Sequence, residues 1–174
     1  MEPIADAAIT DPLGFTAGAV HAGIKKDGRS LDLCIIASDR PATAAGVFTR
    51  NKVRAAPVKL SEERLRSGRC QAVIVNAGNA NACTAERGMA DAQRMTELTA
   101  AKLGLEARDV VVASTGVIGV HLPMELIERG VERIEVGARV DRQPALVLGR
   151  RVSERVGDPG VGELVQRQAH DQER

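Results

Sequence analysis

Apolar positions between Gly14 and about Ile134 change their period several times, and the changes mark out elements. Leu31-Asp32-Leu33-Cys34-Ile35-Ile36 is a short apolar run, with Arg-Ser before it and Ser38-Asp39 soon after, and reads as a strand. Ala44 to Phe48 is a second, weaker strand candidate. Gln71-Ala72-Val73-Ile74-Val75 is a third, running straight into the polar stretch Asn76-Ala77-Gly78-Asn79. Asp109-Val110-Val111-Val112-Ala113 is a fourth, ending in Ser114-Thr115-Gly116. Their β-branched character predicts strands buried on both faces. Helices fit between them. Ser61 to Ser67 is short, charged and closed by Gly68. Residues 88–103 set Met89, Ala92, Met95 and Leu98 at three-residue steps, with Gly104 placed to stop the helix. Residues 123–129 open on Pro123 and are predicted to end at Gly130. The order of elements predicts an α/β fold.

The pattern divides the chain. Residues 1–13 read as a loose arm, 14–134 as the patterned domain, and 135–174 as a tail in which neither period persists. The tail holds seven Arg and seven acidic residues but no Lys, Ile, Thr, Asn, Cys, Met or Phe, all of which the preceding chain uses. Such a shift fits either a solvated C-terminal segment with a short helix near Glu163 to Gln168 or a segment foreign to the domain before it.

Composition narrows the function. At 44% hydrophobic and 27% charged residues the chain matches globular averages, which argues against wholesale disorder. No apolar run approaches the roughly 18 residues a membrane helix needs. The first residues lack the basic and apolar regions of a secretory signal, so a cytoplasmic protein is expected. Twenty-four basic against 23 acidic residues leave no basic excess for nucleic acid. With no Trp, no Tyr and only Phe15 and Phe48, base-stacking platforms and aromatic cages are excluded. Cys34, Cys70 and Cys83 are too widely spaced for a disulfide framework or a zinc site.

Two strand ends could carry chemistry. Asn76, Asn79 and Asn81 lie close together around Gly78, and fit either an Asn-rich turn or the polar wall of a pocket. Ser114-Thr115-Gly116-Val117-Ile118-Gly119 fits either a capped turn or an oxyanion hole, since a Thr hydroxyl and a glycine N–H can donate side by side. It is neither a phosphate-binding loop with Gly-Lys-Ser/Thr nor the dinucleotide glycine fingerprint. His21 and His121 have no metal-binding context, Cys34 reads as core, and Lys25-Lys26-Asp27-Gly28 reads as a solvated turn.

Several segments, taken in order, resemble the ornithine acetyltransferase family, the bifunctional glutamate N-acetyltransferase of arginine biosynthesis. They are Gly14 to Lys25 (GFTAGAVHAGIK), Asp32-Leu33 with its strand, Ala44 to Asn51 (AAGVFTRN) and Ala55-Ala56-Pro57-Val58. Next come Val75 to Ala82 (VNAGNANA) and Ala113 to Gly119 (ASTGVIG). The resemblance implies a layered α/β sandwich like that of the N-terminal-nucleophile enzymes. It implies a precursor that cuts itself before a Thr, which then carries acetyl from N-acetylornithine to glutamate. On this sequence the family's oxyanion pair falls on Thr115 and Gly116. No metal or bound cofactor is implied, though acetyl-CoA can serve as a substrate.

The resemblance ends near Ile134. The family's later Thr-Thr-Asp-Thr stretch, its Lys-Gly-rich block and its Ala-Thr cleavage site have no counterpart, since the last Lys is Lys102 and the last Thr is Thr115. The expectation is therefore an incomplete α/β unit, inactive alone. Its partner would be the nucleophile-bearing C-terminal chain in a hetero-oligomer with small amino-acid substrates. A frame-shifted or truncated gene accounts for the tail; a separately encoded partner chain is the alternative. A non-enzymatic remnant or interaction module, and a self-cleaving aminopeptidase of the same fold, are the competing functions.

Overall fold

The computed structural model describes residues 8–137. Their order is β1 (Phe15–Val20), β2 (Leu33–Thr43), α1 (Ala56–Leu65), β3 (Arg69–Asn79), α2 (Ala85–Leu103), a 3-10 turn (Ala107–Asp109), β4 (Val110–Val117) and α3 (Met124–Arg133). One four-stranded sheet runs in the order β1-β2-β3-β4. The first three strands are antiparallel neighbours, and β4 runs parallel to β3 after the α2 crossover.

Register assigns the side chains to two faces, because partnered residues share a face and neighbours along a strand alternate. The rows Ala37–Ala72–Val110 and Ile35–Ile74–Val112 are buried against the helices, together with Leu33. Ala92, Met95, Ala100, Ile127 and Val131 meet them from α2 and α3. Each fully buried aliphatic side chain contributes about 1.5–3 kcal/mol. On the opposite face Cys34, Ile36, Val73, Val75 and Val111 are only half-buried among the described residues. The apolar runs are thus closed on one face and partly open on the other, rather than buried on both.

Strand β4 is an edge, and α1 closes it. Ser61 Oγ donates to the Val112 carbonyl at 2.7 Å and accepts from the Val112 N–H at 3.0 Å. The Arg64 guanidinium donates to the carbonyls of Ala107 and Val110. Side chains thereby occupy backbone groups that would otherwise template pairing with another chain.

Several boundaries differ from the sequence expectation. β2 continues past Ser38-Asp39 to Thr43, through a register shift between Ala37 and Ala42. β1, whose FTAGAV alternates only weakly, carries no strand pattern of its own and is held by pairing with β2. Ala44 to Phe48 is not a strand: Val47 is fully exposed, and no regular pairing forms there. α1 starts at Ala56, five residues before Ser61. α2 matches its predicted stripe and stops at Gly104. α3 runs through Gly130 to Arg133, because Gly130 is a packing site and not a stop. A Cβ there would lie 2.7 Å from Leu33 Cδ2 and 2.9 Å from Ala22 Cβ. The expectations for residues 1–7 and 138–174 lie outside the described residues.

Replacing Gly130 by Val should destabilise the chain by about 1–3 kcal/mol through overpacking against Leu33 and Ala22. Urea unfolding measures this; an unchanged midpoint would mean that α3 packs farther from β2 than these distances allow.

Candidate functional site

Both sequence-singled stretches lie at one end of the sheet; Asn76 to Asn79 and Ser114 to Val117 are strand, while Asn81 and Ile118-Gly119 follow the strand ends. β3 and β4 place Asn76 beside Ser114, Ala77 beside Thr115, Gly78 beside Gly116 and Asn79 beside Val117. Asn is depleted in strands, and here each side-chain NH₂ donates to a backbone carbonyl.

Asn76 Nδ2 donates to the Asn79 carbonyl at 2.8 Å. Asn79 Nδ2 donates to the carbonyls of Val120 and His121 at 3.0 and 2.9 Å, while its Oδ1 accepts from the Asn81 N–H at 2.9 Å. Asn81 Nδ2 donates to the Gly88 carbonyl, and its Oδ1 accepts from Thr84 Oγ1, both at 2.8 Å. Those bonds hold Asn81 at φ 47°, in the left-handed region that Asn tolerates better than most residues. Exposures of 0, 5 and 0% for Asn76, Asn79 and Asn81 leave them no surface on which to line an open pocket. They tie backbone to backbone behind the strand ends. Asn76 Oδ1 and Ser114 Oγ, at partnered register positions, are buried without a hydrogen-bond partner.

Thr115 is on the other side. It follows the row of Ala113 and Val111, so its side chain belongs to the open face, and it is exposed. Gly116 is at φ +134° and meets β3 backbone to backbone: a Cβ would lie 2.5 Å from the Asn79 nitrogen and 2.6 Å from the Gly78 oxygen. No side chain fits between these strand ends. The segment after them presents Val117, Ile118 and Val120 at 59, 64 and 52% exposure. Thr115 and Gly116 therefore stand together at an accessible strand end. The Asn group does not share their surface.

A residue that sequence reasoning passed over anchors the loop behind this end. The Asp32 carboxylate is fully buried and accepts the backbone N–H groups of Ala22 at 2.6 Å, Gly23 at 3.2 Å and Lys25 at 2.9 Å. His21 Nδ1 lies 2.8 Å from the Ser30 carbonyl and 3.5 Å from Asp32 Oδ2, a satisfied polar contact. The signal was a lone acid inside the apolar run Leu31 to Ile36. Asp27 accepts from Arg29 and Ser30 in an exposed turn, as expected, and these bonds hold its carboxyl well below the usual range.

Burial pushes the Cys34 thiol up to about 11 and raises that of Cys70, whereas Cys83 is exposed. Burial also raises the Asp91 carboxyl, opposed by Arg87 and His121. Among the described residues no group of three or more His, Cys, Asp or Glu is gathered to hold a metal ion, and no helix is long and apolar enough to cross a membrane.

Residues 16–148 match the profile of the ArgJ family. The chain is 53% identical over 138 residues to the arginine biosynthesis bifunctional protein ArgJ of Geobacter sulfurreducens, covering 78% of this chain and 35% of that protein. It is 51% identical over 135 residues to the protein of the same name from Dehalococcoides mccartyi, covering 77% and 33%. The chain thus spans about a third of the length of these relatives. Among solved structures, ArgJ of Bacillus halodurans superposes with a TM-score of 0.76 at 39% identity, over 82% of this chain and 73% of that one. The ornithine acetyltransferase of Mycobacterium tuberculosis, complexed with ornithine, superposes with a TM-score of 0.74 at 42% identity, over 82% and 78%.

Asn79→Ala should cost about 1–3 kcal/mol, because it leaves the buried Asn81 N–H and the part-buried Val120 and His121 carbonyls without their partner. Thermal unfolding together with faster amide exchange across residues 117–121 measures the loss; unchanged exchange there would show that Asn79 does not hold the segment. Iodoacetamide at about pH 8 should label Cys83 well before Cys34, whose raised pKa leaves thiolate scarce until the pH nears 11. Peptide mass spectrometry reads the order, and labelling of Cys34 first would contradict its burial.

Proposed function

Because the chain belongs to the ArgJ family, we propose that it forms the amino-terminal part of a glutamate N-acetyltransferase that moves acetyl from N-acetylornithine to glutamate in arginine biosynthesis. The observation that carries this reading is the pairing of an exposed Thr115 with Gly116 at one accessible strand end. The ornithine bound to the M. tuberculosis ornithine acetyltransferase supports an amino-acid substrate.

The chemistry follows from that pair. A threonine hydroxyl on the second chain, its proton taken by its own α-amine, attacks the acetyl carbonyl of N-acetylornithine. Negative charge gathers on the carbonyl oxygen, and the Thr115 hydroxyl and Gly116 N–H donate to it. The C–N bond then breaks, ornithine leaves with the proton, and acetyl remains as an ester on the threonine. The glutamate amine attacks that ester through the same oxyanion stage, forms the new amide and frees the hydroxyl. Transfer of this kind needs neither metal nor bound cofactor, and acetyl-CoA could load the same threonine.

The half-exposed apolar face around Ile36, Val73, Val75 and Val111 is where we place the nucleophile-bearing chain, in a cytoplasmic hetero-oligomer. Thr115 lies on that face. Autocatalytic release of the second chain would supply the free α-amine. Thr115 itself is internal, has no such amine, and acts only as a donor.

In a complete enzyme carrying this segment, Thr115→Ala should lower kcat about 10²–10³-fold, the loss expected for one oxyanion donor. An unchanged kcat would remove Thr115 from the mechanism. In the same assay the 174-residue chain alone should release no ornithine from N-acetylornithine and glutamate and should gain no acetyl mass. Turnover by the chain alone would place a nucleophile within it.

A further inference from the structure

We propose that Asp32 is a positioning residue for the Thr115–Gly116 pair, acting through residues 22–25 and Gly78; the proposal rests on the oxyanion role given to that pair above. A buried carboxylate is costly unless its lone pairs are filled. Asp32 fills them with three N–H groups from one loop, those of Ala22, Gly23 and Lys25. Its own carbonyl accepts the N–H of Ala77 at 2.8 Å. One residue therefore holds both the loop and the β3 backbone beside Thr115.

The loop in turn lies on Gly78. A Cβ on Gly78 would sit 3.0 Å from Ile24 Cγ2 and 3.2 Å from Lys25 Cγ. On its other side Gly78 is the register partner of Gly116, whose missing Cβ would strike the Gly78 and Asn79 backbone. Loop, Gly78 and Gly116 are thus stacked with no side chain of either glycine between them. Close-packed layers transmit displacement, and a small misplacement of an oxyanion donor is costly to the rate.

Asp32→Asn tests this with little change of shape. The new amide can still accept from Ala22, but its NH₂ faces the N–H groups of Gly23 and Lys25 and cannot accept from them. In the complete two-chain enzyme it should lower kcat about 10–100-fold while KM changes less than about twofold. On a Thr115→Ala background the same substitution should cost clearly less, because both changes act on one oxyanion site. Asp39→Asn, which alters an exposed acid paired with Arg40, is the control and should leave kcat unchanged. In the chain alone, Asp32→Asn should shift the amide resonances of Gly23, Lys25 and Gly116 together.

A normal kcat in a folded Asp32→Asn enzyme, additive losses with Thr115→Ala, or an unmoved Gly116 resonance each overturns the proposal. Should Asp32→Asn not fold, Ile24→Ala removes the loop's contact with Gly78 and leaves the carboxylate in place. It should reproduce the fall in kcat, and a normal kcat in it also overturns the proposal. If Thr115→Ala leaves kcat untouched, the oxyanion reading itself fails. If Thr115→Ala slows the enzyme and Asp32→Asn does not, only the positioning role fails.

Discussion

The contact on which the site depends is backbone on backbone: the ends of β3 and β4 meet at Gly78 and Gly116, with no room for a methyl group at Gly116. Two parallel strands normally keep side chains on both faces. Here that layer is removed at one register pair, and the backbone takes φ values of +116° and +134° that glycine adopts without a Cβ penalty. Thr115 precedes this point and inherits its position from it. The same contact fixes where the segment after β4 leaves the sheet, and hence where Val117 to Val120 emerge.

Such a junction has little apolar surface of its own, so polar groups hold it from behind. Asn76, Asn79, Asn81 and Thr84 are buried and bonded to backbone and to one another, and Asp32 gathers the adjoining loop. Bonds of this sort add only about 0.5–1.5 kcal/mol each, yet leaving one group unpaired costs more. A network built from them tolerates one arrangement far better than its neighbours. That rigidity suits an electrostatic site, where donors must already point at the place charge will appear. The apolar core at Ile35, Ile74, Met95 and Ile127 supplies stability, while the polar network supplies position.

The sheet's two faces divide the work. The helix-side face is closed by α2 and α3, and the β4 edge is covered by Ser61 and Arg64 of α1. The other face keeps a half-buried apolar surface next to Thr115. Under the proposed function, a nucleophile from a second chain would reach Thr115 across that face.

The helix stripe through Ala92 and Met95, the apolar centres of β2, β3 and β4, and the family resemblance at Thr115-Gly116 could all be read from residues alone, because each is a local pattern or an ordered motif. Where strands end could not. Asn76 to Asn79 and Ser114 to Gly116 have turn-like composition, and they remain strand because each lies opposite the other across a ladder. Ala44 to Phe48 has strand-like composition and stays irregular, because no neighbouring strand pairs with it. Gly130 has the character of a helix stop, but Leu33 and Ala22 make it a point of close approach inside α3. Asp32 is one acid in an apolar run until folding brings three N–H groups from residues 22–25 to it. The sequence by itself determined the periodicities, the α/β class and the ordered family motifs. Only tertiary structure decided which face each residue serves, since pairing, close approach and the satisfaction of buried charge arise between segments distant along the chain.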